Sequence, residues 1–96
     1  MIRHTVAFKL KHEAGSAEEQ DFLANGAELA AIPGVTKFEI TRQVSVKNPY
    51  SFGVSMEFAD QAAYDGYNDH PVHVAFVRDR WVPEVEDFLE ADFVAL

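Results

Sequence analysis

Tyr50–Phe58 is the sharpest regularity in the chain: Tyr50, Phe52, Val54, Met56 and Phe58 alternate with Ser51, Gly53, Ser55 and Glu57. A period of two puts the large residues on one face of a strand, and that face must find an apolar layer to pack against. Ile2–Leu10 repeats the pattern, with Ile2, His4, Val6, Phe8 and Leu10 on one side and Arg3, Thr5, Ala7 and Lys9 on the other. The second side is small and mixed, so it too can be covered. Val35–Val44 reads as a third strand, with Phe38 and Ile40 opposite Lys37, Glu39 and Thr41, and Leu89–Val94 as the last. The polar turn Ser45–Pro49 joins two of them as an antiparallel hairpin.

Helical signals fill the gaps. Ser16-Ala17-Glu18-Glu19 is a capping box, with Ser16 as N-cap and Glu19 three residues on. The helix it starts runs to about Ala31, turns Phe22, Leu23, Gly26, Leu29 and Ala30 towards a core, and stops at Pro33-Gly34. Asp60 caps a short helix, Gln61–Tyr67. Pro71 opens another, with Asp69 or His70 as its cap. Spacing places His73, Val77 and Trp81 on one stripe, with Phe76 beside it. Pro83 kinks or divides this helix, and Glu84–Asp87 continues it after the break. The order is strand, helix, strand, strand, helix, strand, which is the α+β, ferredoxin-like βαββαβ sandwich. We read residues 1–96 as a single domain.

Charge narrows the function. A formal net charge of -8 repels phosphate backbones, so nucleic acid is not an expected partner. No basic amphipathic face suggests a membrane surface, no run is long enough to span one, and Met1–Leu10 alternates where a signal peptide would be continuously apolar. The expected compartment is the cytoplasm. The absence of cysteine removes disulfides, thiolate metal sites and cysteine nucleophiles together.

What chemistry the chain carries concentrates in Tyr67-Asn68-Asp69-His70-Pro71-Val72-His73. An imidazole at His73 near a phenol at Tyr67 is suited to removing a proton next to a carbonyl, with Tyr67 orienting the base or polarising the carbonyl. The competing reading has His73 satisfied by a backbone carbonyl or by Tyr67, tying helix to sheet. His4 is expected to be a structural hydrogen-bonding residue or a second polar contact. His70-Pro71 is expected to turn and cap the chain. His4, His70, His73 and a carboxylate such as Asp92 could in principle hold a metal, but Pro71 directs His70 elsewhere; we expect no metal and no cofactor. Asp92 is expected in an interface hydrogen-bond network. His12 and the acidic clusters Glu18-Glu19 and Glu84–Asp87 are expected to be solvated.

The strand-one segment His4-Thr5-Val6-Ala7-Phe8-Lys9-Leu10, the Tyr-x-x-His-Pro-x-His run ending at His73, and Asp92-Phe93 in the last strand together resemble the stress-responsive dimeric α/β-barrel (Dabb) family. The resemblance covers essentially the whole chain. It implies a four-stranded antiparallel sheet with helices on one face, and a homodimer formed by two open sheet faces, the dimeric α/β barrel. That would account for the small residues Thr5, Ala7, Gly53 and Ser55 on the second face, where a sheet covered on one side only shows cleaner polarity. A plant polyketide cyclase of this family closes a ring by aldol-type chemistry. Its catalytic tyrosine and histidine match Tyr67 and His73, and its strand-one histidine matches His4. Carried over, the resemblance implies a pocket between sheet and helices lined by His4, Val6, Phe8, Phe22, Phe52, Val54, Phe76 and Trp81. It would take a small hydrophobic or carbonyl-containing ligand. Phe52 stands where that cyclase has a histidine. Other members are oligomeric stress-associated proteins with no known reaction. The resemblance is therefore compatible with a pocket protein of open role, a cofactor-independent acid–base enzyme, or a purely structural oligomer.

Overall fold

The computed structural model describes residues 1–96. β1 (Ile2–Leu10) is followed by α1 (Ala17–Ala27), β2 (Thr36–Arg42), β3 (Phe52–Phe58), α2 (Gln61–Asp69), α3 (Pro71–Phe76), α4 (Val82–Glu84) and β4 (Val85–Phe93). A 3-10 turn, Glu28–Ala31, extends α1, and a π-helical turn, Val77–Trp81, joins α3 to α4. The strands form one four-stranded sheet in the order β2-β3-β1-β4, every neighbouring pair antiparallel. This is the ferredoxin-like sandwich.

The local chemistry follows the capping signals closely. The Ser16 hydroxyl accepts from the Glu19 amide at 3.2 Å, and the Glu19 carboxylate reaches back to the Gly15 amide at 3.1 Å. That reciprocal pair draws Glu19 down to 6% exposure, so it is a buried cap and not a solvated charge. Gly34 adopts φ 90° in the turn out of the 3-10 segment, a conformation that side-chain-bearing residues rarely take. Asp60 caps α2 by accepting from the Ala63 amide at 2.9 Å.

Several boundaries differ from those the sequence suggests. β2 is shorter than Val35–Val44 and irregular between Thr36 and Glu39, where Lys37 takes φ 49°. β3 begins at Phe52, so the hairpin connection is longer than the Ser45–Pro49 turn. Gln43 holds it together: its amide nitrogen donates to the carbonyls of Ser45 and Tyr50 and to the Asn48 side chain. Most importantly, the helix ends at Glu84, and Val85–Asp87 does not continue it. The Val82 amide donates to the Val77 carbonyl, five residues back, which opens the turn just before Pro83, a residue with no amide hydrogen and a ring that crowds the preceding turn. The chain then turns straight into β4. Val85 pairs with Leu10, and a bulge at Lys9/Leu10 resets the register so that both Val85 and Phe88 face the helices. Glu84 stays behind as a clasp. Its carbonyl accepts from the Lys11 amide, and its carboxylate meets His12 at 2.7 Å and also takes Arg80. His12 and Glu84 are thus paired, not free in solvent. Burial alone would push the Glu84 carboxyl up, but the hydrogen bonds from Arg80 and His12 outweigh it and hold it below its ordinary value.

The core lies between the sheet and the helices. Phe58, fully buried, stacks on Tyr64 with ring centroids 4.9 Å apart. Phe8 packs against Phe22 at 6.0 Å and against Phe52 at 5.6 Å. Burying each such ring contributes about 1.5–3 kcal/mol. The opposite face of the sheet carries Thr5, Ala7, Gly53, Leu89, Ala91 and Phe93 around a shallow depression, with no helix over it.

Candidate functional site

β1 builds the first half of the site. Its alternation points His4 inward beside Val6, and the antiparallel registers bring Asp92 opposite His4 and Glu90 opposite Val6. His4 is 5% exposed. Its Nδ1 lies 2.6 Å from Asp92 Oδ1, and the Tyr64 hydroxyl lies 2.8 Å from both Asp92 Oδ2 and His4 Nδ1. A carboxylate only accepts, so His4 carries its proton on Nδ1 and donates it to Asp92 Oδ1, while the Tyr64 hydroxyl donates to Asp92 Oδ2. Burial, then the hydrogen bond and charge of Asp92, push the Tyr64 phenol well above its ordinary value, so it remains a donor. The ring atom His4 keeps for the cavity is Nε2.

The turn between α2 and α3 builds the second half. His70, rather than Asp69, is the cap of α3: its Nδ1 accepts from the Val72 amide at 3.2 Å, and Pro71 occupies the first turn. This reversal folds His73 back over Tyr67, ring centroid to ring centroid 4.4 Å. His73 Nδ1 donates to the Asn68 carbonyl at 3.1 Å, which fixes the tautomer and leaves Nε2 as an acceptor. Burial lowers the His73 pKa. The Asn68 carbonyl and the charge of Glu90 pull it back up only in part, and His4 adds to the lowering. Tyr67 is 3% exposed; burial, then the charge of Glu90, raise its phenol well above the ordinary value. Its hydroxyl has no partner in the protein and is not sealed off. The site therefore presents a neutral imidazole nitrogen and a protonated phenol side by side.

Both face a cavity of about 370 Å3. Of the residues anticipated for it, His4, Val6, Val54, Tyr67, His73, Phe76 and Trp81 line its wall. Phe8, Phe22 and Phe52 do not. The Phe8 ring packs on both Phe22 and Phe52, and the space left beside Phe8 and Phe22 is about 20 Å3, room for no more than one water. Leu29, Asn68, Val77, Val82, Phe88 and Glu90 complete the wall and were not anticipated. Phe88 and Glu90 share the inward parity of Asp92; starting the last strand at Leu89 hid Phe88, whereas Glu90 could have been read from the same alternation. Tyr64 could have been found one helical turn before Tyr67, on the same side of α2. No three His, Asp or Glu side chains converge as a metal site would require.

An inter-layer cavity above an antiparallel sheet, with a histidine and a tyrosine freed towards it, defines a ferredoxin-like pocket protein. The chain belongs to the stress responsive A/B barrel domain (Dabb) family, which matches residues 2–95. A Dabb family protein of ferredoxin-like fold from Mesorhizobium loti is 67% identical, with a TM-score of 0.98 over 99% of this chain and 96% of that one. A dimeric ferredoxin-like protein from Thermobifida fusca is 22% identical, with a TM-score of 0.81 over 98% of this chain and 90% of that one. A hydroxynitrile lyase from Passiflora edulis is 14% identical, with a TM-score of 0.85 over 99% and 93%; at that identity the likeness is one of fold. No curated protein matches the chain.

Proposed function

We propose that the protein is a homodimeric barrel whose cavity binds a small apolar carbonyl compound, and that His73 and Tyr67 perform acid–base chemistry on it. One observation carries this reading: His73 donates Nδ1–H to the Asn68 carbonyl, and so offers its Nε2 beside the unpartnered Tyr67 hydroxyl in an apolar cavity. A neutral imidazole held this way is a base, and a phenol held protonated is a hydrogen-bond donor to the oxygen that gains charge when a neighbouring C–H is deprotonated. The cavity's volume falls within the range of small-molecule sites, which favours this reading over a purely structural oligomer filled by its own side chains.

The dimer is supported by the uncovered sheet face. Leu89 and Phe93 are 60% and 55% exposed there beside small residues that let a second sheet approach. Relatives of the same fold from Thermobifida fusca and Jannaschia are described as dimeric.

The test is hydrogen–deuterium exchange next to the carbonyl in a panel of small aryl ketones and aldehydes, followed by NMR. The wild type should accelerate exchange for a subset of the panel, His73→Ala should abolish it, and Tyr67→Phe should reduce it by about 10²-fold or more. Exchange equal in the wild type and His73→Ala would remove the acid–base reading.

A further inference from the structure

The cavity has a charge that the acid–base pair does not use. Glu90 lines its wall, and no Lys or Arg does. Other acids on the sheet and at its end are paired: Glu57 takes Arg3 and Lys37, Glu86 takes Lys9, Glu84 takes His12 and Arg80, and Asp92 takes His4. Glu90 forms neither an ion pair nor a hydrogen bond within the protein. Its backbone faces Val6 in the register, so the carboxylate enters from the edge strand at the cavity's mouth, between Phe88 and Asp92 on the same face. Its field reaches the interior, where it acts on both Tyr67 and His73.

The rest of the wall suits a particular partner for that carboxylate. Tyr67, Phe76, Trp81 and Phe88 present aromatic rings to the same space, with Trp81 and Phe88 edge to face at 5.5 Å. An unpaired carboxylate beside aromatic faces is the arrangement that recognises an alkylammonium group: the carboxylate supplies the ion pair, and the rings supply the cation–π attraction and cover the methylene groups. A carboxylate ligand would meet Glu90 with no lysine or arginine on the wall to offset the repulsion. A wholly neutral ligand would use only the apolar wall.

We infer that the cavity takes a small amine, with its ammonium end beside Glu90 and its apolar body against Phe76, Trp81 and Phe88. This rests on the ligand-binding part of the function proposed above and adds the class of ligand. Glu90 is a specificity-determining residue in this arrangement, and His73 and Tyr67 act on the part of the molecule that lies deeper.

The experiment compares three probes of nearly equal shape, phenylpropylamine, phenylpropanol and phenylpropionate, by calorimetry against the wild type, Glu90→Gln and Val77→Trp. The amine should bind the wild type about tenfold more tightly than the alcohol, and the carboxylate most weakly. Glu90→Gln should remove the amine's advantage while leaving the alcohol's affinity unchanged. Val77→Trp, which fills the cavity, should abolish binding of all three. If the alcohol binds as well as the amine, or if Glu90→Gln leaves the amine's affinity intact, the amine assignment is overturned while the cavity remains a binding site. If no probe binds the wild type, or if Val77→Trp leaves binding unaltered, the cavity reading itself falls and the assignment falls with it.

Discussion

Tyr64 and Tyr67 lie one turn apart on α2, both buried, both with phenols raised well above the ordinary value. Their hydroxyls have opposite fates. Tyr64 stacks on Phe58 and closes a three-membered network with His4 and Asp92. Tyr67 lies under His73 and points a hydroxyl with no protein partner at the cavity. The same residue type on the same helix is therefore structural at one position and available for chemistry at the next. The difference is made by β4: Asp92 reaches Tyr64, whereas the strand position facing Tyr67 is Glu90, which acts on it through its field without bonding to it. Burial and a raised pKa do not by themselves mark a functional tyrosine. What separates the two is whether the hydroxyl's bond is already made.

Substitutions can break that contrast in graded steps. The largest effect is expected from Asp92→Ala, which takes the acceptor from both the Tyr64 hydroxyl and His4 Nδ1; chemical denaturation should show a loss of about 2–3 kcal/mol. Tyr64→Phe removes one donor and keeps the ring that stacks on Phe58, so a smaller loss of about 1–2 kcal/mol is expected. Tyr67→Phe should cost no more than about 0.5 kcal/mol, because no protein hydrogen bond is lost, while proton exchange on a bound carbonyl compound drops. If Tyr67→Phe destabilised the fold as much as Tyr64→Phe does, the distinction between the two would fail.

The smallest effect concerns pH. The folded-state pKa of His73 lies below the ordinary 6.5. On acidification the unfolded chain therefore takes up its proton first, and the folded state is favoured most while His73 is neutral in both. Stability from this residue is complete above about 6.5 and declines as pH falls from there towards the lower folded value. Melting curves across that interval should be flatter for His73→Phe than for the wild type. Proton abstraction by His73 should likewise persist below the pH at which an ordinary imidazole would be protonated.

Much of the fold could be read from periodicity because each strand face is committed to one layer. His4, Val6 and Phe8 follow from the alternation of β1, and the caps at Ser16 and Asp60 follow from side chains that bond their own helix. The start of β4 could not be read that way. Glu84–Asp87 is acidic and follows a helical stripe, so local pattern favours helix; the Lys11–Glu84 and Leu10–Val85 pairings that decide it come from the far end of the sequence. The same distance hid the Tyr64–Asp92 contact. The pocket's aromatic residues divide for a geometric reason. Phe8 and Phe22 pack behind Phe76 and Trp81, which touch them on one side and line the cavity on the other. Spacing along one helix does not tell a ring that lines the cavity from one packed behind it.

The acidic edge strand has a further consequence for how copies of the chain meet. β4 is an outer strand of the sheet, and Glu86, Asp87, Glu90 and Asp92 fall along it. An unpaired strand edge is a template for adding another strand, and proteins that leave one open invite runaway, fibre-like growth. A second copy laid edge to edge along β4 would bring two rows of four carboxylates together. The row of acids thus discourages linear polymers, and in the face-to-face homodimer proposed above two copies would close on each other and growth would stop.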